Sequence, residues 1–404
     1  MMTDLTREEA IAERGYLAWQ RTKLLMAVFA LTGFGLVMVY SASPIRAARG
    51  GGWEIAYAHN QLWRLGIAVV AMSLLSMVPY RWWQKLWLPA LFGGYAILGL
   101  VLTPLGTRVN GANRWFRTGA MNVQPSEVAK FTLVIAVSAI LVTMAPEGKP
   151  RLFRHVIPLC ILVGVAVFLV AIEPDFGTAA LIGAALTALM LAGGVRVWQL
   201  SLLLLPVIPA AAWYGYTKFD HISRRIEDWM AGEAFHTNVS KLAIGSGGIW
   251  GMGLGQGPAK LDYLPEAHTD FIFAMVGQET GLIGTLSLIT LFVIVIWQGL
   301  AIARNAPDRF GALLTFGVTA FIGGQAAFNM GVVTGVLPPK GISLPFVSFG
   351  GSGLVVFYSM IGLVVSVTRG TAIPGARSAA TGLMAKYRPR PAFYDPPQAE
   401  GASV

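Results

Sequence analysis

Ionisable residues stand at the borders of apolar runs, where charges are costly and therefore informative. The stretch PEAHTDFIFA (265–274) brings Glu266, His268, Thr269 and Asp270 to the start of a long apolar segment. A carboxylate so placed can take a proton from a hydroxyl within hydrogen-bond reach, the work of a general base. With a helix starting near Thr269, Ala274, Gly277, Gln278 and Gly281 fall within about 80° of Asp270, while Glu279 points the other way. Asp270 then heads a stripe of small and polar residues suited to a cavity or a neighbouring helix. Capping by Asp270, favoured by the helix dipole, is the plainer reading, but it leaves Glu266 and His268 without a role.

Four further segments carry candidate chemistry. In QPSEVAKF (124–131), Ser126 is a natural N-cap, and Glu127 and Lys130 lie three apart on one helical face. The pair is either a helix-start ion pair or, at membrane depth, part of a site. In IEPDFGTA (172–179), Glu173, Pro174 and Asp175 form an acidic turn in which Asp175 caps the next helix, and no chemistry is assigned to it. KLAIGSGGIWGMGLGQG (241–257) lacks the preceding strand and the Gly-Lys-Ser/Thr of a phosphate loop, so its glycines point to close backbone approach, as in a re-entrant segment resting on protein. LPPKGISLPFVSFGGSG (337–353) offers Lys340 and, at Ser348, Gly350, Gly351 and Ser352, small or hydroxyl groups that either bind a ligand or allow tight helix packing.

Around these segments Arg108, Arg114, Arg117, Lys130, Arg224, Arg225, Lys241, Lys260 and Lys340 make a basic set. A diphosphate suits the forked donors of Arg and the point charge of Lys, and lipid headgroups or plain solvation are the alternatives. No His/Cys spacing for zinc and no Gly-x-Ser-x-Gly elbow occurs, and nothing asks for a nucleic-acid partner.

The elements that must position these residues are membrane helices. Of 404 residues 55% are hydrophobic and 12% charged, with a mean hydropathy of +0.62, far from the roughly 25% charged share of soluble domains. An all-α polytopic membrane protein is expected, with ten transmembrane helices at about 24–40, 62–78, 86–102, 127–145, 155–172, 176–192, 199–217, 271–302, 310–336 and 350–368. Residues 1–23 and 369–404 read as cytoplasmic tails, the second disordered, around a membrane domain at 24–368. The run at 271–302 exceeds one crossing and should tilt or project. Slightly more than half of the 30 Lys and Arg fall on the tails and short joints of one side, which places both termini in the cytoplasm and the longer loops, about 103–126, 218–270 and 337–349, outside. The single cysteine, Cys160, lies within an apolar run and reads as a buried hydrophobe.

NGANRWFRTGAMNVQPSEVAK, EPDFGTA, PEAHTDFIFA and LPPKGISLPFVSFGGSG, in this order among ten spans, resemble the SEDS family of bacterial shape, elongation, division and sporulation proteins. The Lys-Gly-x-x-Leu-Pro-Phe form around Lys340 is similar to the division members rather than the elongation members. Phe349, Gly353 and Gln278 depart from the usual family residues, which puts a hydrogen-bonding role at those positions in doubt.

The resemblance implies a peptidoglycan glycosyltransferase that polymerises lipid II on the outer face of the bacterial inner membrane, at the division septum. A class B penicillin-binding transpeptidase and other division proteins are the implied partners, besides membrane lipids. It maps the family's essential loop aspartate onto Asp270 and its cavity pair onto Glu127 and Lys130. In that scheme Asp270 is the base, its carboxylate raised by partial burial. Lys130, Arg114 and Lys340 offset the leaving diphosphate. His268, Thr269, Ser348 and Ser352 contact substrate. No cofactor is assigned, and a divalent cation, Mg or Mn, is the one open candidate, although no dedicated cage is visible. A lipid-precursor flippase or a non-catalytic division scaffold are the competing functions.

Overall fold

The computed structural model describes residues 2–42, 56–109, 112–117, 122–145, 150–258, 264 and 266–370. Lys260, Pro265, the side chain of Arg108 and the expected tail beyond Gly370 lie outside what is described. The helices are α1 (Met2–Ala42), α2 (Ala56–Met77), α3 (Tyr80–Lys85), α4 (Trp87–Val101), α5 (Pro125–Met144), α6 (Ile157–Ile172), α7 (Phe176–Ala192), α8 (Val197–Lys218), α9 (Asp220–Met230), α10 (Phe235–Ser246), α11 (Ile272–Arg304), α12 (Arg309–Val333) and α13 (Ser352–Arg369). A π turn at Leu152–Val156 leads into α6.

Each of the ten expected spans corresponds to one long helix: α1, α2, α4 to α8 and α11 to α13. Seven segments are by themselves long and apolar enough to cross a bilayer, and α4 and α7 are shorter apolar helices. The chain is a multi-pass helical membrane protein. Its outward-facing side chains are apolar where water would penalise them: Trp63, Phe92, Phe168, Leu205 and Trp297 are all exposed. α5, α12 and α13 form the enclosed centre, with α2 along α13, α1 along α11, α4 along α5 and α7 along α12, while α8 stands at the rim.

The structure departs from the sequence reading in four places. α1 begins at Met2, so the expected N-terminal tail is a helical extension of the first span. The 103–126 connection contains three short antiparallel strands, β1 (Thr107–Val109), β2 (Ala112–Arg117) and β3 (Asn122–Val123), in the order β1-β2-β3. Ser126 is not the cap of α5: Gln124 is, because Pro125 takes the first helical position, where its missing N–H costs nothing.

The fourth departure is α11, which is not one continuous rod. It breaks at Gly281 (φ 66°), leaving a short arm at 272–280 and a second part at 282–304, about 34 Å long, one membrane crossing. The glycine-rich segment fills the break. Met252 N and Gly253 N donate to Gln278 O and Glu279 O (3.0 Å each), and Leu282 N and Ile283 N donate to Gly248 O (2.9 Å) and Ile249 O (3.3 Å). These bonds replace intrahelical ones that an apolar surrounding cannot leave unmade. A Cβ on Gly281 would collide with Gly251 N, which is the close approach the glycine run signals.

Candidate active site

Asp270 sits at the end of the bundle that carries the long connections, just before the short arm of α11. It is not a cap: α11 starts after Phe271, with no side-chain cap bond. Instead Thr269 N, Asp270 N and Phe271 N all converge on Glu266 O (3.1, 3.1 and 3.3 Å), a tight turn with Glu266 held at φ 55°. A left-handed non-glycine residue costs energy and persists where the surroundings fix it.

The 337–351 segment does the fixing. Ser348 Oγ donates to Thr269 O (2.6 Å) and accepts from Leu344 N (2.7 Å), and Phe349 N donates to His268 O (3.0 Å). Asn329 Nδ2 on α12 bridges Asp270 O (2.7 Å) and Ile342 O (2.6 Å). One turn earlier on α12, Gln325 Nε2 donates to Ser343 O (2.9 Å). The loop is therefore stitched both to the aspartate's turn and to the central helix.

The Asp270 carboxylate lies against Gly341, where a Cβ would collide with its Oδ2. The neighbouring Lys340 reaches across Gly177 to pair with Asp175, Nζ to Oδ1 3.0 Å; a Cβ on Gly177 would stand 2.6 Å from the Lys340 Cγ. Asp175 does cap α7, accepting from Thr178 N (3.3 Å) and Thr178 Oγ1 (3.0 Å). It thus has two duties, and the sequence reading recognised only the cap. Arg114, on β2, spends Nε and Nη2 on Glu173 O and Pro174 O (2.7 Å each), which anchors the sheet to the acidic turn. Glu173 itself is 1% exposed, and neither carboxylate oxygen has a hydrogen-bond partner.

Electrostatics separate these acids. Burial pushes Asp270 up to about 7, Glu266 and Asp175 add to the rise, and Lys340 opposes it. Glu173 is pushed up to about 8 by burial and by Asp175 against the pull of Arg114. Burial also works on Asp175, but Lys340 and Arg114 outweigh it and hold this carboxyl below its ordinary value. Lys340 is lowered by burial, with Arg114 and Arg225 adding and Asp175 opposing. The surroundings thus favour the charged form of Asp175 and raise the proton affinity of Asp270.

Glu127 and Lys130 lie deeper, inside the bundle. Lys130 Nζ donates to Glu127 Oε1 (2.7 Å) and to Gln325 Oε1 (2.6 Å), and Glu127 Oε2 is buried without a partner, near Gly353. Gln325 joins this pair to the loop that holds Asp270.

The structure therefore brings Asp270, His268, Thr269, Lys340 and Ser348 together. Arg114 reaches the cluster through the acidic turn, and Glu127 and Lys130 through Gln325. Ser352 lies at the edge, its Oγ accepting from Gln124 N (3.0 Å), and Ser348 Oγ is taken up within the fold. Gln325, Asn329 and the pairing role of Asp175 escaped the sequence reading. The only available signal was that Gln325 and Asn329 are polar and four apart in an apolar span. Among the described residues no group of three or more His, Cys, Asp or Glu is arranged to hold a metal ion.

The family model that matches the chain, over residues 22–372, describes the FtsW/RodA/SpoVE cell cycle proteins. A probable peptidoglycan glycosyltransferase FtsW from Geobacter sp. (strain M18) is 35% identical over 85% of this chain and 95% of the relative. A protein of the same name from Coxiella burnetii is 35% identical over 87% and 96%. Among solved structures, a chain from a peptidoglycan synthase complex that coordinates polymerization and crosslinking is 26% identical, with a TM-score of 0.72 over 86% of this chain and 96% of that one. The rod shape determining protein RodA of Thermus thermophilus is 25% identical, with a TM-score of 0.64 over 86% and 95%.

Proposed function

The chain belongs to the FtsW/RodA/SpoVE family of cell cycle proteins, and on that premise we propose that it is a peptidoglycan glycosyltransferase that joins lipid II units into glycan strands. The observation that carries the assignment is Asp270, a half-buried carboxyl with a raised proton affinity, fixed by two interlocked loops beside Lys340.

The acceptor sugar's 4-hydroxyl attacks the anomeric carbon of the lipid-diphosphate donor. A new C–O bond forms, the bond from that carbon to the diphosphate oxygen breaks, the diphosphate leaves with the electron pair, and Asp270 takes the hydroxyl proton. A single displacement inverts the anomeric centre, so an α-linked donor gives a β-linked strand. Charge developing on the diphosphate is met by Lys340 with Arg114 and Arg225 nearby, cations preorganised by protein bonds. Asp175 keeps Lys340 extended in the absence of substrate. His268 and Thr269 flank the base, Ser348 holds the loop against it, and Ser352 receives Gln124 N at the edge of the site. Glu127 and Lys130 form the floor beneath. In Phe271, Ile272 and Phe273 the turn has an apolar anchor that sets the carboxylate at the depth where a membrane-dissolved lipid presents its headgroup.

The long connections face the outside of the cytoplasmic membrane, both termini face inward, and the protein works at the septum. This rests on the basic short joints and on the division-type motif at Lys340. A transpeptidase partner, of the class B penicillin-binding type, is favoured by the likeness to a complex that couples polymerization and crosslinking. Purified Asp270→Asn protein supplied with labelled lipid II is expected to fold and to lose polymer formation at least about 100-fold. Glycan strands at the wild-type rate would reject the base role.

A further inference from the structure

A cleft of about 340 Å³ lies between α9, α10 and the end of α12, apart from the acids and cations of the catalytic turn. It is small-molecule-sized. Trp229, Met230, Thr237, Asn238, Lys241 and Gly335 line it. Trp229 Nε1 donates to Gly335 O (2.9 Å), which fixes the indole plane and leaves its apolar faces for contact. Asn238 Nδ2 donates one N–H to Gly232 O (2.7 Å), which holds the amide in place and leaves its Oδ1 as an acceptor beside the second N–H. Thr237 Oγ1 is buried with no hydrogen-bond partner, in a residue 1% exposed. Lys241 is exposed, and its stem crosses Gly335, where a Cβ would collide with the Lys241 Cε.

We propose that this cleft is a subsite for one N-acetylated sugar ring of the growing glycan. The proposal rests on the glycosyltransferase reading above and deepens it. An aromatic plane, a carbonyl acceptor and an ammonium match the three faces of such a ring: its C–H face, its amide N–H or hydroxyls, and the carboxylate-bearing substituents of alternate sugars. A lipid tail has no use for these polar groups, and a lone diphosphate has none for the indole. The position fits as well. His236, directly before Thr237, stands 6.1 Å from the ring of Phe271, the residue after Asp270. Arg225, one turn before Trp229, is close enough to act on Lys340. A strand leaving the catalytic turn along α10 meets this cleft within its first sugars, and a polymerase that grips its product there adds more units before release.

The test uses the full chain in lipid nanodiscs, titrated with a lipid-free, peptide-free β-1,4-linked tetramer of alternating N-acetylglucosamine and N-acetylmuramic acid, whose lactyl groups carry free carboxylates. Lys241→Met and Trp229→Leu are each expected to weaken tetramer binding at least tenfold and to shorten the strands made from lipid II severalfold. Lys241→Met alters an exposed side chain and leaves the fold intact, so it carries the test if Trp229→Leu does not fold. Tetramer binding of equal strength in wild type and Lys241→Met, or none in wild type, overturns the proposal. A raised KM for lipid II with unchanged strand length assigns the cleft to the lipid-linked headgroup instead and overturns the growing-strand assignment. Tetramer binding is read without turnover, so failure of the glycosyltransferase reading shows as wild-type protein that makes no polymer, or as Asp270→Asn protein that polymerises at the wild-type rate, with this measurement intact.

Discussion

The two ends of the bundle use charge in opposite ways. At the end with the short joints the buried and half-buried charges Asp308, Arg81, Arg309 and Arg369 are matched. Asp308 caps α12 through Gly311 N (2.8 Å) and receives Tyr80 OH (2.5 Å) and Arg81 Nε (3.0 Å). Arg309 donates to Ala145 O (2.5 Å) and Gly193 O (2.8 Å), and Arg369 donates to Ser76 O (3.2 Å). These contacts tie α2, α3, α5, α7, α12 and α13 together. At the other end four acids, Glu173, Asp175, Glu266 and Asp270, crowd around Lys340 and Arg114. Lys340 forms an ion pair with Asp175, and two of the other acids, Glu173 and Asp270, are driven well above their ordinary proton affinity. Matched charge marks a scaffold, and a surplus of one sign in a half-buried site marks chemistry.

If the contrast is real, pH should act on one end and not the other. Asp270 must be ionised to accept a proton, so polymerisation should fall about tenfold per pH unit below about 7, roughly 100-fold by pH 5. A profile flat from pH 5 to 8 would break the comparison. The sign for stability is reversed: a carboxyl whose folded value is raised destabilises the fold as pH climbs from its unfolded value toward 7. Asp270→Asn should therefore raise Tm more at pH 8 than at pH 4, read by thermal unfolding.

Lys340→Met removes a cation that serves both the diphosphate and Asp175. Activity is expected to drop about tenfold or more, and the acid limb of the pH profile should move upward because Asp270 loses the cation that opposes its rise. Unchanged kinetics would remove Lys340 from the site. The smallest effect belongs to the matched end. Asp308→Ala loses a cap and two side-chain bonds, about 1–3 kcal/mol of stability, with turnover per folded molecule unchanged. A fall in turnover without a fall in Tm would dissolve the distinction between the ends.

How much of this was legible in the sequence follows from range. Ten apolar runs set ten helices, all but α1 to within about six residues, because a span needs its backbone satisfied locally and its surface apolar throughout. The glycine run announced close approach but not its target, since the break in α11 at Gly281 is stabilised only by Gly248, Ile249, Met252 and Gly253, a whole turn-rich segment away. Ser126 misled because it has the chemistry of a cap while the proline before it decides the start. The short strands at 107–123 carry too few residues for a period-two signal. Asp175 shows the limit most plainly. Its cap to Thr178 is local and was readable, whereas its pairing with Lys340 joins segments far apart in the chain and depends on a glycine at 177 that leaves room for the lysine stem.

The mended break in α11 has a consequence for how the aspartate can move. The arm at 272–280 and the glycine segment share two backbone bonds, at Gln278 O and Glu279 O, and Leu282 N and Ile283 N add two more from beyond the break. Pulling either away would strand amide and carbonyl groups in an oily setting, so the two must travel as a single plate. Any partner that pushes on the glycine-rich stretch at 248–253 therefore moves the arm that follows Asp270.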